Sequence, residues 1–339
     1  MLEDFVAIAE SGQDLTADQM QQAIIWMLAG RAEDAEIGQL LLALRAKGES
    51  VSELVGAARG MRLMMTPIRT TRQGLLDTCG TGGDGARTFN ISTAAAIVTA
   101  AAGVPTAKHG NRRVTSATGS ADVLACLGVS VEADRAKVEN CLNALGLCFC
   151  FAPLLHPAMK HVGHVRRSLG VPTLFNYLGP LCNPAGAAYQ IIGTGNEALQ
   201  TKLAAALMQL PIEAAIVVRG LDGMDEVSLA ADTQVLHVQY GMTTQSQWSP
   251  SSFGLPTIRN EDLIVDGPEG SAQVIQSILS GQPGPPRDIV LANASAALWV
   301  AGKTHSLLEG VALATKAIDS GAARSLLTEL CRCSQGDSA

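Results

Sequence analysis

Residues 75–93 read LLDTCGTGGDGARTFNIST, and this stretch decides the fold. The short run at 75–79 is typical of a strand, and Asn90 opens a run that is typical of a helix. Four glycines lie between them within six residues. Glycine lets main-chain N–H groups approach an anion, and a helix start offers further N–H groups to a phosphate. A tight turn with a helix cap explains Gly80 and Asn90 alone, so the extra glycines favour an anion-binding loop.

The same letters also fit the dinucleotide-binding pattern G-x-G-x-x-G. That fold needs an acidic residue at the end of the next strand, where this chain has KHGNRR at 108–113. A P-loop is excluded as well, because no G-K-[ST] follows the glycines. A basic loop beside a glycine loop fits a ligand with two separated anionic groups. Lys108, at a strand end, is the strongest candidate, whereas Arg112 and Arg113 could be surface residues.

From residue 74 onward, short β-like runs alternate with helical runs. We predict strands at 75–79, 104–108, 147–151, 189–192 and 214–218, with helices at 91–102, 120–127, 158–169 and 197–209. Such alternation indicates the α/β class with a mostly parallel central sheet flanked by helices. Ligands bind beyond the carboxyl ends of such strands, so the chemistry should follow Cys79, Lys108, Phe151 and Val218.

Residues 1–66 read as four short helices, with capping-box signals at Thr16 and Ser50. We therefore predict a small all-helical N-terminal domain at 1–70, completed by a segment around 165–185, and a larger α/β domain at 71–339. Glycine-, serine- and proline-rich stretches at 241–256 and 280–287 read as loops. The last 50 residues read as helices with breaks at Gly302, Gly310 and Gly321.

An acidic loop, GLDGMDE at 220–226, follows the strand at 214–218. Mg²⁺ binds a few carboxylates together with phosphate oxygens and water, so Asp225 and Glu226 are candidate ligands. A solvated acidic turn is the alternative. His161 and His164 lie three apart on a predicted helix, but no metal motif accompanies them. Arg166, on the same helix, could pair with a carboxylate in a cleft.

Composition narrows the class of protein. The chain has 339 residues, 47% of them apolar, with 24 Lys and Arg against 31 Asp and Glu, a formal charge of −7. This composition argues against disorder and against a nucleic-acid-binding protein. The eight cysteines form no C-x-x-C pair and read as buried core thiols. The N-terminus lacks the basic region of a signal peptide, and the longest apolar stretch is too short to span a bilayer. We expect a cytoplasmic protein.

Several motifs occur in one order along the chain. They are GTGGDG with TFNIST, KHGNR, the TGSAD at 118–122, HPAMKHVGHVR, LFNYLGPLCNPA, GLDGMDEVS and NASAALWVAGK. Together they resemble the anthranilate phosphoribosyltransferase family over essentially the whole chain. The resemblance implies transfer of the phosphoribosyl group of 5-phosphoribosyl 1-pyrophosphate (PRPP) to anthranilate, with Mg²⁺ as cofactor and a homodimer as the assembly.

The resemblance also implies roles for individual residues. The catalytic residues would be Lys108, Arg166, Asp225 and Glu226. PRPP would contact Gly80, Gly83, Asp84, Thr88, Asn90, Ile91, Ser92, Thr93, Lys108, His109, Gly110, Asn111, Arg112, Arg113, Val114, Thr115, Ser116 and Ser120. Anthranilate would contact Gly80, His109, Asn111, His156 and Arg166. Mg²⁺ would be bound by Ser92, Asp225 and Glu226.

Two positions depart from the family pattern. Ala117 stands where the family often has a basic residue, and His164 stands where it often has a proline. Two other functions are compatible with the same fold: a pyrimidine nucleoside phosphorylase, and a non-catalytic relative that binds nucleic acid. The stretch LFNYLGPLCNPA argues against the first, and the negative charge with the retained GTGGD and DE motifs argues against the second.

Overall fold

The computed structural model describes residues 2–82, 85–112 and 119–336. The N-terminal part is helical, as predicted. Its helices are α1 (Leu2–Glu10), α2 (Ala17–Leu28), α3 (Asp34–Lys47) and α4 (Val51–Met64). Both capping boxes form: the Thr16 side chain accepts the Gln19 N–H, and the Ser50 side chain accepts the Glu53 N–H. These caps begin α2 and α4 at the positions that the sequence indicates.

Small residues let α2 and α4 pack closely. A Cβ at Gly60 would lie 2.8 Å from the Ile24 side chain, and one at Gly56 would overlap the Ala17 carbonyl oxygen. Two later helices, α9 (Lys160–Leu169) and α10 (Phe175–Leu178), bury apolar side chains in the same hydrophobic core. That core continues onto one face of the central sheet.

The sheet has seven strands in the order β3-β2-β1-β4-β5-β6-β7. The strands are β1 (Leu76–Gly80), β2 (Thr106–Gly110), β3 (Leu147–Phe151), β4 (Tyr189–Gly193), β5 (Ala214–Gly220), β6 (Thr233–Gln239) and β7 (Met242–Trp248). The first five are mutually parallel, and β6 and β7 pair antiparallel at one edge. The predicted fold class, a helical N-terminal domain with a mostly parallel α/β sheet, is therefore confirmed.

Helices cover the sheet on the connections between strands. They are α5 (Ile91–Ala101), α6 (Ser120–Cys126), α7 (Arg135–Leu145), α8 (Ala152–Leu155) and α11 (Glu197–Leu207). Four more follow the last strand: α12 (Gly267–Leu279), α13 (Pro285–Val300), α14 (Leu307–Asp319) and α15 (Ala322–Gln335). Within the described residues, no helix has the length and apolar character needed to cross a membrane.

Two predictions of local structure are wrong. Residues 242–248, predicted as loop, form β7, whose exposed and mostly polar residues hide the strand pattern. Tyr240 and Gly241 both have positive φ and make the tight turn that joins β6 to β7. Gly310, predicted as a helix break, lies inside α14. A Cβ at this position would overlap Ser295 of α13, so glycine allows the two helices to pack closely. It is a close-packing residue.

The buried-thiol prediction holds for Cys141, Cys148, Cys150, Cys182 and Cys333. Cys79 and Cys331 are half-buried, and Cys126 is exposed on α6, contrary to the prediction. Cys148 and Cys150 share one face of β3, with their sulfur atoms 3.8 Å apart.

The ladder between β1 and β2 is short. Only Leu76 and Thr106 form a register pair, whereas β2 and β3 share five. Side chains bridge the strands beyond that point. Asp77 Oδ1 accepts the His109 N–H at 3.0 Å, and Lys108 Nζ donates to the Thr78 carbonyl at 2.7 Å. The two central strands therefore separate toward their carboxyl ends.

Candidate active site

A cavity of about 250 Å³ lies at the carboxyl ends of β1 and β2. Most of the predicted site residues line it: Gly80, Thr88, Asn90, Ile91, Ser92, Lys108, His109, Gly110, Asn111, Arg112, Ser120, Asp225 and Glu226. Thr93 is buried beneath it, and neither His156 nor Arg166 lines it. Gly83, Asp84, Arg113, Val114, Thr115, Ser116 and Ala117 lie outside the described residues.

The end of β4 and the Asp225 side chain of the acidic loop hold the glycine loop in place. The Thr81 N–H donates to the Gly193 carbonyl at 2.9 Å, and the Gly82 N–H donates to Asp225 Oδ2 at 3.0 Å. A Cβ at Gly80 would lie 2.8 Å from the same carboxylate oxygen, and one at Gly193 would overlap the Asp225 carbonyl. Gly80 leaves room for the Asp225 carboxylate, and Gly193, at the end of β4, lets the main chain of the acidic loop approach closely. Sequence reasoning missed Gly193, although a glycine directly after a strand is a signal for such an approach.

The start of α5 forms the floor of the cavity. Asn90 caps the helix, since its Oδ1 accepts the Thr93 N–H at 3.1 Å. That amide is therefore satisfied within the protein, contrary to the idea that it stays open for a phosphate. Ser92 Oγ faces the cavity and accepts a hydrogen bond from Lys108 Nζ at 3.0 Å. The start of α5 therefore presents the Ser92 hydroxyl and, bonded to it, the Lys108 ammonium group to the cavity.

Lys108 is 4% exposed and lies under the cavity. Burial lowers its pKa, and the nearby charges of Asp77 and Glu226 raise it again. Asp77 is fully buried, and burial raises its pKa, while the Asn183 amide, the His109 N–H and the Lys108 charge lower it. The result is a buried cation near two carboxylates, Asp77 in the interior and Glu226 on the cavity wall. Sequence reasoning missed Asp77, because only the fold brings it beside the second strand.

Arg112 lines the cavity but is already paired. Its guanidinium lies 2.6 Å from Glu132 Oε1 and 3.2 Å from Asp122 Oδ1, and it stacks 5.7 Å from the centre of the Phe151 ring. The hydrogen bonds to the two carboxylates raise its pKa. To meet an anion in the cavity, Arg112 would have to leave these exposed partners, and exposed ion pairs are weak.

Asp225 and Glu226 face the cavity from the acidic loop. Asp222 of the same loop has a structural role instead, since its Oδ2 accepts the Ser228 hydroxyl at 2.7 Å and its Oδ1 accepts the Met224 N–H. In the part of the chain that the structure describes, no group of three or more His, Cys, Asp or Glu side chains could hold a metal ion. Two carboxylates and the Ser92 hydroxyl form the partial donor set that Mg²⁺ uses when a phosphate completes its shell.

Two neutral histidines pack together at the cavity, His109 on its wall and His156 against His109. The rings of His109 and His156 are 5.1 Å apart, and His109 Nδ1 lies 3.1 Å from the Gly179 carbonyl, to which it donates. Burial lowers the pKa of His109 to about 4, and burial together with His109 lowers that of His156 to about 3. Both Nε2 atoms are buried, and neither has a hydrogen-bond partner among the described residues.

Arg166 lies on α9, with its guanidinium 5.2 Å from the centre of the Phe175 ring. Burial lowers its pKa. It makes no hydrogen bond or ion pair within 2–82, 85–112 and 119–336, so its charge is available to an added carboxylate. A metal site formed by His161 and His164 of α9 has no support. His164 Nε2 lies 2.7 Å from Asp34 Oδ2, and His161 packs against Gly30.

Comparison with known proteins identifies the class. Residues 72–324 match the α/β domain of the glycosyl transferase family, and residues 6–64 match the helical bundle domain of the same family. The chain therefore belongs to the glycosyl transferase family and has both its helical bundle domain and its α/β domain.

Individual relatives narrow this class. An anthranilate phosphoribosyltransferase of Rhodopirellula baltica is 53% identical over 96% of each chain, and that of Symbiobacterium thermophilum is 46% identical over 94% of each. The crystal structure of the Thermus thermophilus enzyme matches with a TM-score of 0.92 at 40% identity, covering 98% of this chain and all of the other. A Saccharomyces cerevisiae enzyme in complex with PRPP and Mg matches with a TM-score of 0.91 at 27% identity, over 98% of each chain. The chain belongs to the anthranilate phosphoribosyltransferase family.

Proposed function

We propose that this protein transfers the phosphoribosyl group of PRPP to the amine of anthranilate, releasing pyrophosphate and forming N-(5-phosphoribosyl)anthranilate. This is the second step of tryptophan biosynthesis from chorismate. The observation that carries the proposal is the cavity at the ends of β1 and β2, where a glycine loop and a buried lysine face two carboxylates. Such a cavity suits a ligand that has two separated anionic groups and brings a divalent cation.

Asp225, Glu226 and Ser92 would hold Mg²⁺. Support comes from their common position on the cavity wall and from the yeast relative, which was solved with PRPP and Mg. When bound, the ion neutralises charge on the departing pyrophosphate. Gly80, Gly83 and Asp84 would hold the pyrophosphate, with the loop 108–116 closing over it and Ser120 at its end.

Lys108 would act on the phosphoribosyl side together with Thr88, Asn90, Ser92 and Thr93. Its ammonium group is fixed by Thr78 and Ser92, so little reorganisation is needed when an anion arrives. The Thr93 amide is already bonded to Asn90, so any part that Thr93 plays would be indirect.

Arg166 would anchor the carboxylate of anthranilate, with Gly80, Asn111, His109 and His156 around the ring. What supports this role is a half-buried guanidinium stacked on Phe175, without a carboxylate partner among the described residues. The two histidines are neutral at physiological pH, so they would not compete with Arg166 for the carboxylate.

The amine of anthranilate is unprotonated near pH 7, so no general base is needed to activate it. The barrier is loss of pyrophosphate from C1 of the ribose, through an oxocarbenium-like transition state with inversion. The protein would lower this barrier by holding the amine in line with C1 and by stabilising the leaving group.

The organisation proposed with this function is a helical domain at 1–70, completed by 165–185, and an α/β domain at 71–339. Its support is the core that α9 and α10 share with the first four helices. We also propose a homodimer in the cytoplasm, on the family resemblance.

The first test is loss of anthranilate fluorescence on adding PRPP and Mg²⁺. We expect turnover that needs all three components. If the protein instead splits a pyrimidine nucleoside with phosphate, or turns over neither, the proposal is wrong.

A variant tests the metal site. Asp225→Asn combined with Glu226→Gln should lower Mg²⁺-dependent turnover by at least about 100-fold, because the leaving group loses its charge stabilisation. Asp232→Asn serves as the control, because Asp232 lies just before β6, outside the cavity lining, with its carboxylate on the Gln247 amide. Near-normal activity of the double variant would mean that the metal binds elsewhere.

A further inference from the structure

A second cavity, of about 710 Å³, lies between the N-terminal helical part and the α/β part. Of the described residues, Thr81 and Gly82 alone line both this cavity and the one at the ends of β1 and β2. Its remaining lining comes from the α3–α4 connection, α4, α10 with the residues before it, the start of α11 and the acidic loop. A ligand there would touch both parts of the molecule and the outer side of the glycine loop.

Glu49 contributes an unpaired carboxylate to this cavity. The residue is only 9% exposed, and its carboxylate accepts no hydrogen bond and forms no ion pair with any described residue. A carboxylate that lines the cavity without a cationic partner can form an ion pair with a ligand that brings a positive charge. Burial, and after it the Glu49 charge, raises the pKa of the neighbouring Tyr177.

Lys202, on α11, supplies the opposite charge. Its Nζ donates to the main-chain carbonyl of Glu49 at 2.7 Å and has no carboxylate partner among the described residues. Its other N–H donors are therefore available to an anionic group.

The rest of the lining is partly apolar. Leu54, Pro172 and Leu199 lie on the walls together with the ring of Tyr177. The cavity is far larger than a single ion needs, and a lone anion would be repelled by Glu49. A lone metal ion lacks ligands, because no group of three metal-binding side chains occurs in the described residues. The lining therefore calls for an organic ligand with both charges and an apolar portion.

We propose that this cavity is a binding site for a free α-amino acid with an apolar side chain. Its ammonium group pairs with Glu49, its carboxylate pairs with Lys202, and its side chain packs on Leu54, Leu199 and Tyr177.

Calorimetric titration of the full chain with three matched compounds tests the charges. Phenylalanine carries both groups, phenethylamine lacks the carboxylate, and 3-phenylpropanoate lacks the ammonium. We expect phenylalanine to bind at least about 10-fold more tightly than either of the others, since each lost ion pair removes a charge-assisted hydrogen bond. Equal affinity for the three compounds, or no binding of phenylalanine or of any other apolar amino acid, overturns the proposal.

Variants locate the site. Glu49→Gln and Lys202→Met should each weaken phenylalanine binding by about 10-fold or more, while Lys316→Met on the exposed face of α14 should not. Arg166→Ala should also leave it unchanged, because the proposed anthranilate anchor lies outside this cavity. Binding that survives both cavity variants, or is lost with Arg166→Ala, contradicts the assignment. The titration needs neither substrate, so its outcome is independent of the proposed transferase activity.

Discussion

At the scale of single residues, most charged side chains around the cavity at the ends of β1 and β2 are held in position before any ligand binds. Lys108 is held by hydrogen bonds to Thr78 and Ser92, and Asp225 accepts one from the glycine loop. Among the described residues, the Arg166 guanidinium is held by stacking on Phe175. Fixed groups suit a leaving group whose charge grows during the reaction. The stacked arginine can turn to meet a smaller planar acid.

Arg166 can be tested against its neighbour on the same helix. Arg166→Ala should raise the KM for anthranilate at least about 10-fold while changing the KM for PRPP little, because only the carboxylate contact is lost. Steady-state kinetics with each substrate varied in turn gives both values. Arg167→Ala, on the exposed face of α9, is the control. A larger effect on the PRPP KM would refute the role of Arg166.

The two buried histidines make stability depend on pH. Their pKa values of about 4 and about 3 lie below the unfolded value of about 6.5, so the unfolded chain binds protons first as the pH falls. Their contribution is complete above pH 6.5 and decreases toward pH 4, by roughly 2 kcal/mol for each histidine between pH 7 and pH 5. Urea unfolding at the two pH values measures it.

The matched variant is His109→Asn, which keeps a donor for the Gly179 carbonyl but cannot titrate. Its loss of stability between pH 7 and pH 5 should be smaller than that of the parent chain. The same loss in both proteins would show that His109 is not the group responsible.

At the scale of elements, the glycine loop and the acidic loop are joined through the end of β4 and the Asp225 side chain. Gly193 accepts the Thr81 N–H and lies against the Asp225 main chain, while the Gly82 N–H donates to the Asp225 carboxylate. Gly193→Ala should separate them, since the new Cβ would overlap the Asp225 carbonyl. We expect a loss of about 1–3 kcal/mol in unfolding free energy and a weaker dependence of turnover on Mg²⁺. Titration of activity with Mg²⁺ measures the second effect. Gly270→Ala in α12, where a Cβ meets only ordinary contacts, should change neither quantity.

The parts of this unit differ in how readily the sequence reveals them. The spacing of glycines after β1 and the acid pair after β5 are local signals, and both fall on the cavity wall. Asp77 and Gly193 escaped notice because their function depends on strands brought together by the fold. The strand β7 was missed because its exposed residues are polar, so pairing with β6 rather than burial defines it. Gly310 was misread because its partner, Ser295, lies on another helix.

At the scale of the whole molecule, one core spans both parts of the chain. The apolar side chains of α1 to α4 are continuous with those of α9, α10, α11 and one face of the sheet. The helical part therefore buries its core against the α/β part and should not melt separately.

Tryptophan fluorescence can test this coupling. Trp26 lies in α2, whereas Trp248 and Trp299 lie in β7 and α13 and pack against each other. A Trp26→Phe variant reports on the α/β part, and a variant with Phe at the other two positions reports on the helical part. In each variant, we expect the tryptophan fluorescence and the circular dichroism signal to change at the same urea concentration. A helical reporter that changes at lower urea would instead reveal two independent units.

The separation of β1 from β2 has a consequence for how related sequences can diverge. Beyond Leu76, main-chain groups of these strands are satisfied by side chains: Asp77 for the His109 N–H, Lys108 for the Thr78 carbonyl and Asn183 for the Ala107 carbonyl. Loss of any one leaves an unpaired main-chain group in the middle of the sheet and, for the two charged residues, a lone buried charge. Sequences that diverge from this chain should therefore retain these three residues together or replace them together.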